Sequence, residues 1–391
     1  MIASFEVLLI VLGIATPVYW LIPCGLERWR TGFVIAVSLV LLFALSPLIL
    51  VWLFIYIAAV LIFLAGYRRG IAPDRIKALT WIFFLPLPFV DMMPSGTVSS
   101  FLDSQLGTMP PGMANFTFIG ISYTAIRAFL VVREAMNRGD PRFLSSLNAL
   151  TFFSAFIAGP IAGSNYYVRE KVAGKLTAGD FLTAISRIGW GVALFLIVGR
   201  WLSEFDLLAA FGMSQKDHST LQAWIAMYRS FVVLYVDFSG STSVAIGAAL
   251  LFGIRLPENF RAPWLALSVQ QFWQRWHLSL VAFITTYLFK PLVRAYGRPV
   301  LAIFITFVLV GLWHKFSWNY LLWGIGHGAT LSANMIVKKR LDLLQPGKAV
   351  TYTLNTAGWL FTMTWVSFLS AMANASGLEA AGLLVQKLCG Q

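Results

Sequence analysis

The chain has 391 residues, of which 59% are hydrophobic and only 12% charged, and its formal net charge is +13. Soluble globular proteins carry about 25% charged residues and about 45–50% apolar ones. This composition excludes a soluble enzyme, a disordered chain and a secreted disulfide scaffold, and it predicts a membrane protein with many spans.

Apolar runs long enough to cross a bilayer recur along the chain. A helical span needs about 20 mostly apolar residues. Such runs lie at 5–23, 32–46, 47–65, 79–93, 115–132, 181–200, 223–252, 299–316, 317–336 and 350–372. Ser46-Pro47 separates the second run from the third, because proline removes a backbone donor and disfavours helix just before it. We therefore predict an all-α polytopic membrane protein with about ten transmembrane helices.

The basic residues lie in short loops, which the positive-inside rule assigns to the cytoplasm. On this basis the loops that end at Arg30, run over 68–77 and run over 133–142 are cytoplasmic, whereas 91–114, which has no basic residue, lies outside. The longest basic run is 338–340, so we expect no nucleic-acid partner. The two cysteines form no CxxC motif, so we expect no redox or zinc chemistry.

The alternation of loops fails at 147–163, which lies between two basic loops. The simplest explanation for the broken alternation is that this segment enters the membrane and returns to the same side. Irregular backbone at that depth is tolerated only where protein or a water-filled cavity satisfies its polar groups, so the segment indicates a cavity. The Trp-rich segment 262–290 is also flanked by basic residues, and we interpret it in the same way, as a segment that enters the membrane and returns.

His327 is the most informative of the four histidines. It lies near the middle of the run 317–336, close to the bilayer midplane, and its neighbours Gly326 and Gly328 allow close approach of a helix or a substrate. An ionisable group at this depth is expensive and is a functional candidate by default. The structural alternative is a histidine that bonds to a neighbouring carbonyl and joins two helices.

The other three histidines lie in less distinctive surroundings. His277 follows Gln274, Arg275 and Trp276 in a segment typical of an interfacial helix, where an anchoring belt is the structural alternative. His314 is at a turn between two apolar runs, which is more typical of an interfacial residue than of a catalyst. His218 lies in a polar stretch and is expected to be solvated.

Asp237 is the second charge inside an apolar run, within Tyr-Val-Asp-Phe-Ser-Gly-Ser at 235–241. The small residues indicate a broken helix, and a structural role is as compatible with this pattern as a catalytic one. No histidine and carboxylate occur at metal-ligand spacing, and neither a P-loop nor a GxSxG motif occurs. We therefore expect no metal and no permanently bound cofactor.

Several motifs in a fixed order resemble the membrane-bound O-acyltransferase family, in particular its bacterial branch that acylates cell-surface polymers. That branch includes alginate O-acetylase-like proteins and the D-alanyl transfer protein of teichoic acid modification. The motifs are Arg-Trp-His at 275–277, Gly-Leu-Trp-His at 311–314, Leu-Trp-Gly-x-x-His-Gly at 322–328, Phe-Ile-Gly-Ile-Ser-Tyr at 118–123, Ile-Ala-Gly-Pro-Ile at 157–161, Asp-Phe-Ser-Gly at 237–240 and Leu-Phe-Gly-Ile-Arg-Leu-Pro-Glu-Asn-Phe at 251–260.

The resemblance implies one membrane domain over 1–391 with a helical bundle around a central tunnel. Peripheral helices would occupy 1–114, the catalytic core about 115–340, and C-terminal helices 350–391. It also implies that His327 is the catalytic histidine and His277 the second conserved polar position. Further substrate-binding candidates are Trp276, Arg275, Gln274, Trp313, His314 and Asp237.

The implied reaction moves an acyl group, in the first place acetyl, from a cytoplasmic thioester donor to hydroxyls of an extracytoplasmic polysaccharide or to a relay acyltransferase. Acetyl coenzyme A or an acyl-carrier protein is the expected co-substrate, in the bacterial cytoplasmic membrane among lipid. We expect His327 to accept the hydroxyl proton and His277 to orient it or to bind the carbonyl oxygen, with Trp276 or Trp313 as further donors.

The sequence also departs from the family pattern and leaves rival functions open. Lys315 stands where Gly often follows the Trp-His pair, no Gly-Gly follows 286–292, and Ser241 and Ser243 stand where Tyr and Asp are common in this branch. These departures concern the acceptor more than the reaction. D-alanyl transfer to teichoic acid is one alternative, and a proton-coupled transporter or flippase is another, with a purely structural subunit as a third.

Overall fold

A computed structural model describes residues 2–45, 47–87, 113–139, 143–156, 159–169, 176–199, 201–202, 219–344 and 347–390. Within these ranges the chain is helical and contains no β-strand. The predictions for His218, for 91–112 of the outer loop and for 170–175 of the basic loop 164–180 concern residues outside these ranges.

Most of the predicted apolar runs lie within helices, and several shorter helices lie between them. They are α1 (Ile2–Leu21), α2 (Glu27–Leu45), α3 (Pro47–Arg68), α4 (Pro73–Leu79), α5 (Met113–Arg138), α6 (Phe143–Thr151), α7 (Tyr166–Arg169), α8 (Ala178–Val192), α9 (Ser219–Leu251), α10 (Val269–Trp273), α11 (Leu278–Ile284), α12 (Lys290–Tyr296), α13 (Pro299–His314), α14 (Trp318–Leu344), α15 (Lys348–Asn374) and α16 (Leu378–Leu388). Wider turns continue α8 over Ala193–Gly199 and join α11 to α12 over Thr285–Phe289.

Proline and glycine set several of these boundaries. Pro47 is the first residue of α3, as the sequence predicts, and Pro73 and Pro299 begin α4 and α13. Proline suits a first helical position because the N–H that it lacks would have no intrahelical partner there. Gly297 ends α12 with φ of 65°, a conformation that glycine adopts without steric cost.

Four helical stretches of the described residues are long and apolar enough to cross a membrane: Ile49–Arg68, Ala178–Gly199, Thr220–Leu251 and Leu278–Tyr296. Their length and apolar composition fit an integral membrane protein. The predicted count of about ten spans is not confirmed by this criterion. The run expected at 79–93 starts with the end of α4 and a tight 3₁₀ turn, Thr80–Phe84, and its second half lies outside the described residues.

The two segments expected to be irregular differ from each other. In 147–163 the helix α6 ends at Thr151 and a single 3₁₀ turn follows at Phe153–Ala155, so the described part holds no helix of membrane length. In 262–290 the backbone is irregular only as far as His277. From Leu278 a continuous helical stretch of 19 residues runs to Tyr296, which corrects the expectation for the second half of that segment.

The chain divides into two compact units, which are described separately. The first comprises Met1–Val192 and Ser241–Pro257. In it α3 and α6 pack against their neighbours α5 and α2. Near the end of α5, the Glu134 carboxylate accepts hydrogen bonds from the Ser164 hydroxyl (2.8 Å) and the Asn165 backbone N–H (3.0 Å). A helix therefore holds the Gly-Pro loop that follows residue 158.

The second unit comprises Ala193–Gly240 and Glu258–Gln391. Its centre is the antiparallel pair α13 and α14, whose backbones approach closely because glycines line the contact. A Cβ on Gly311 would lie 2.3 Å from the carbonyl oxygen of Tyr320, and one on Gly324 would lie 2.6 Å from that of Phe307. Helix α15 packs beside α14, and its end is held by Asn319, whose side chain donates to the carbonyl of Ala375 (2.9 Å).

Candidate active site

His327 lies on α14 in the second unit, between two glycines. Its side chain is 2% exposed. A Cβ on Gly328 would meet the carbonyl oxygen of Phe304 at 3.0 Å, and one on Gly326 would meet the side chain of Leu369 at 2.7 Å. The glycines on both sides of His327 therefore bring α13 and α15 against α14, and they enclose the imidazole between helices.

Aromatic rings surround this imidazole. The indole Nε1–H of Trp273 donates a hydrogen bond to Nδ1 of His327 at 3.2 Å. Trp323, one helical turn earlier on α14, places its ring centre 4.5 Å from that of the imidazole, and the Phe307 ring lies at 6.0 Å. Trp273 was not singled out from the sequence. The sequence feature that could have identified it is the spacing Trp-x-x-Trp, which lies in a segment interpreted as an interfacial belt.

His314 belongs to the same group of rings, although its position at a turn indicated an interfacial residue. Its ring centre lies 5.4 Å from that of Trp323, which itself contacts His327. The neighbouring indole of Trp313 has a buried Nε1–H with no hydrogen-bond partner among the described residues. The end of α13 therefore adds a third imidazole to these rings, and the Trp313 indole packs beside it with ring centres 4.6 Å apart.

His277 occupies a strained position just before α11. Its φ of 45° is in the left-handed region, which non-glycine residues rarely adopt and which costs about 1–3 kcal/mol. Asn259 holds the turn: its backbone oxygen accepts from the N–H of Leu278 at 3.0 Å, and its Oδ1 accepts from the Ser279 hydroxyl at 2.6 Å. Strain of this kind is typical of functional sites, and Asn259 maintains it here.

The His277 side chain is buried against aromatic rings. The Phe238 ring meets the imidazole edge-on, with centres 4.8 Å apart. The ring of Trp276 packs on Phe260 and stacks on Phe272, at 5.0 and 5.3 Å. Trp276 is thus a packing residue of the loop that carries His277.

The remaining candidates from the sequence lie at the edge of this group. Arg275 donates to the backbone oxygen of Arg261 at 3.3 Å, which fastens the loop before α10, and Gln274 is exposed. Asp237 is half-buried on α9, directly before Phe238, and a Cβ on Gly199 would lie 2.5 Å from its Oδ1. Gly199 therefore leaves room for this carboxylate.

No group of three or more His, Cys, Asp or Glu side chains that could hold a metal ion occurs among the described residues. The side chains that the structure brings together are imidazoles, indoles and phenyl rings. Such a group can bind apolar surface, donate hydrogen bonds from indole N–H groups and exchange protons through imidazole nitrogens.

Comparison with known proteins points to the same family as the sequence motifs. Residues 126–373 match the family model described as MBOAT, membrane-bound O-acyltransferase family. The chain is 28% identical to the peptidoglycan O-acetyltransferase of Helicobacter pylori, over 63% of this chain and 47% of that protein. It is 29% identical to the probable alginate O-acetylase AlgI of Pseudomonas aeruginosa, over 64% of this chain and 48% of that protein.

A third relative is the teichoic acid D-alanyltransferase of Bacillus subtilis, which is 27% identical over 57% of this chain and 60% of that protein. The chain thus spans about half the length of the first curated relatives that it matches. The family model covers more than half of the chain, including all three imidazoles described above. The chain belongs to the membrane-bound O-acyltransferase family.

Proposed function

We propose that the protein is an O-acyltransferase that moves an acyl group from a thioester donor to hydroxyl groups of a cell-envelope polymer, directly or through a relay protein. The observation that carries the proposal is the buried imidazole of His327, which is enclosed by helices and hydrogen-bonded to Trp273. Acetyl is the preferred acyl group because two of the relatives are named as O-acetylating proteins.

The chemistry requires a base for the hydroxyl proton and a donor to the oxyanion that forms at the carbonyl. Two buried imidazoles, His327 and His277, can supply these two functions, with the indole N–H of Trp313 as a further donor. The apolar rings around His327 exclude water, which would otherwise hydrolyse the thioester.

The thioester donor is proposed to approach from the cytoplasm. Exposed basic side chains of the second unit support this, namely Arg261, Lys290, Arg294 and Arg298. They complement either the phosphates of coenzyme A or the acidic surface of an acyl-carrier protein. The acceptor polymer would then be reached from the opposite side of a bacterial cytoplasmic membrane.

The test is a chemical analysis of the cell envelope. Cells would express the native chain, His327→Ala or the control His218→Ala at matched membrane levels, and mild alkali would release ester-linked groups. We expect released acetate to disappear in His327→Ala and to persist in His218→Ala, because the sequence places His218 in a polar stretch away from the motifs.

Other results would change the proposal in defined ways. A loss of D-alanine in place of acetate would support the activity named for the Bacillus subtilis relative. If neither group changes, acyl transfer at His327 is excluded. The next hypothesis to test would then be a proton-coupled transporter that uses His327 and Asp237.

A further inference from the structure

Arg127 is a buried charge in the first unit that the proposed reaction does not use. It lies on α5 and is 0% exposed. None of the ion pairs between described residues includes it. The acidic residue of α5 is Glu134, two turns further on, which pairs with Arg138 at 3.9 Å. Because an isolated charge is costly to bury, a fully buried arginine is ordinarily paired with an anion.

Two contacts of the Arg127 guanidinium leave one of its edges free. Its Nη1 donates to the backbone oxygen of Ala149, near the end of α6, at 3.4 Å. The Phe156 ring covers one face, with its centre 5.0 Å from the central carbon. Nε and Nη2, which share one edge of the planar group, are buried and have no hydrogen-bond partner in the described part of the chain. Two parallel N–H donors of this kind bind both oxygens of a carboxylate or a phosphate.

The packing around Arg127 joins two of the sequence motifs. Side chains of a helix lean toward its N-terminus, so Arg127 reaches back along α5 toward Gly120. Gly120 lies in the motif at 118–123, and a Cβ there would overlap Cε1 of Phe156, the residue before the motif at 157–161. The absence of a side chain at Gly120 therefore lets the Phe156 ring lie against α5 and cover the guanidinium.

Other buried polar atoms of the neighbouring segments also lack partners among the described residues. They are Oη of Tyr167, Oγ of Ser146 and Oδ1 of Asn148, on residues that are 2–3% exposed. Tyr167 packs its ring on that of Phe152, just beyond the end of α6, with centres 5.3 Å apart. Buried polar groups normally find a partner in protein, water or an ion. Their concentration here agrees with the cavity that the sequence indicates for 147–163.

We propose that Arg127 is the centre of a buried binding site for a small oxyanion, a carboxylate or a phosphate group, which its Nε–H and Nη2–H hold through two parallel hydrogen bonds. The anion neutralises the buried charge and gives both donors an acceptor. It also fixes the guanidinium and, through the Phe156 ring, the start of the Gly-Pro loop. The site is independent of the proposed acyl transfer, and its test uses no acyl donor.

NMR of the full chain, labelled with ¹⁵N-arginine in detergent micelles, tests the site directly. Loss of one Nε–H signal in Arg127→Met assigns the signal of Arg127. We expect acetate or phosphate to move this signal to higher proton shift in a saturable titration, because the N–H gains an acceptor. Chloride at the same ionic strength should not move it. A signal that both oxyanions leave in place would overturn the inference.

Thermal unfolding separates a specific site from a general effect of salt. An anion that binds only the folded chain raises the thermal midpoint by mass action, by about 2 °C at about ten times its Kd. In chloride buffer Arg127→Met should melt no lower than the native chain, and it should lose the rise that acetate or phosphate produces. Equal rises in the two chains would overturn the inference, because the effect would then not require the guanidinium.

Arg133→Met is the matched control on the same helix. Arg133 is half-buried, lies over the Phe129 ring at 5.2 Å and donates to the backbone oxygen of Lys77 at 3.0 Å. We expect this variant to keep the rise of the native chain, and its loss in both variants would contradict a site at Arg127.

Arg127→Lys keeps the charge but lacks the two parallel donors. Acetate and chloride should therefore shift its thermal midpoint equally. A retained preference for acetate would contradict recognition through Nε–H and Nη2–H.

Hydrogen exchange tests the effect of the anion on the Gly-Pro loop. We expect acetate or phosphate, whichever gives the larger NMR response, to slow exchange over 159–169 in the native chain and to leave it unchanged in Arg127→Met. Equal exchange rates in the native chain with and without the anion would contradict the fastening of this loop.

Discussion

Replacement of Gly324 by alanine should push apart the two helices that form the centre of the second unit. The new Cβ would lie 2.6 Å from the carbonyl oxygen of Phe307 and 3.0 Å from Cα of Val308. Both are backbone atoms of α13, which cannot rotate away as a side chain would. To reach the 3.4 Å of ordinary contact, α13 and α14 must separate locally by about 0.8 Å.

This displacement reaches the site because His327 lies three residues, about 4.5 Å along the axis, from Gly324. Trp273 packs on Phe307 of α13, so a shift of α13 draws the indole away from α14. The Trp273–His327 hydrogen bond would lengthen from 3.2 Å toward about 4 Å, beyond the range of a hydrogen bond. Overpacking costs about 1–3 kcal/mol of stability, and a misplacement of about 1 Å can cost about 100-fold in rate.

The assay compares Gly324→Ala with Gly326→Ala in the same helix. At Gly326 the new Cβ meets only the flexible end of the Leu369 side chain, which can move at little cost. We expect Gly324→Ala to show the lower thermal midpoint in detergent and about 100-fold less acyl transfer. Equal midpoints and equal activities for the two variants would refute the reasoning from close backbone contact.

Three further substitutions test other contacts. Asn259→Ala removes the acceptor for the buried Ser279 hydroxyl and should cost about 1–3 kcal/mol, seen as a lower thermal midpoint; an unchanged midpoint would contradict this role. Glu134→Ala removes the acceptor of Ser164 and should speed hydrogen exchange over 159–165, whereas native exchange rates would show that the loop is held by other contacts. Arg127→Met should leave the midpoint unchanged or raise it, because Nε and Nη2 of this fully buried guanidinium have no partner in the described part of the chain; a drop of several degrees would show that its bond to the Ala149 carbonyl and its contact with the Phe156 ring outweigh the cost of burying the charge.

The agreement between apolar runs and helices has a local cause. In the membrane every backbone polar group must be satisfied within its own segment, so the length and hydropathy of a run suffice to predict a helix. The runs at 32–46, 223–252, 299–316 and 350–372 correspond to α2, α9, α13 and α15 within a few residues. No such local rule applies to short and irregular segments such as 262–277. There the sequence predicted that the backbone is irregular, but not its conformation.

The sequence by itself determined the all-helical membrane class, the family and the position of His327 inside an apolar helix, because each depends on a local pattern. Only the tertiary structure placed Trp273 against Nδ1 of His327, 54 residues away, and brought His314 toward the same rings. It also set His277 in a left-handed turn held by Asn259. These features depend on packing between distant segments, and a hydrogen bond to one nitrogen of a ring is decided by where a neighbouring helix places its donor.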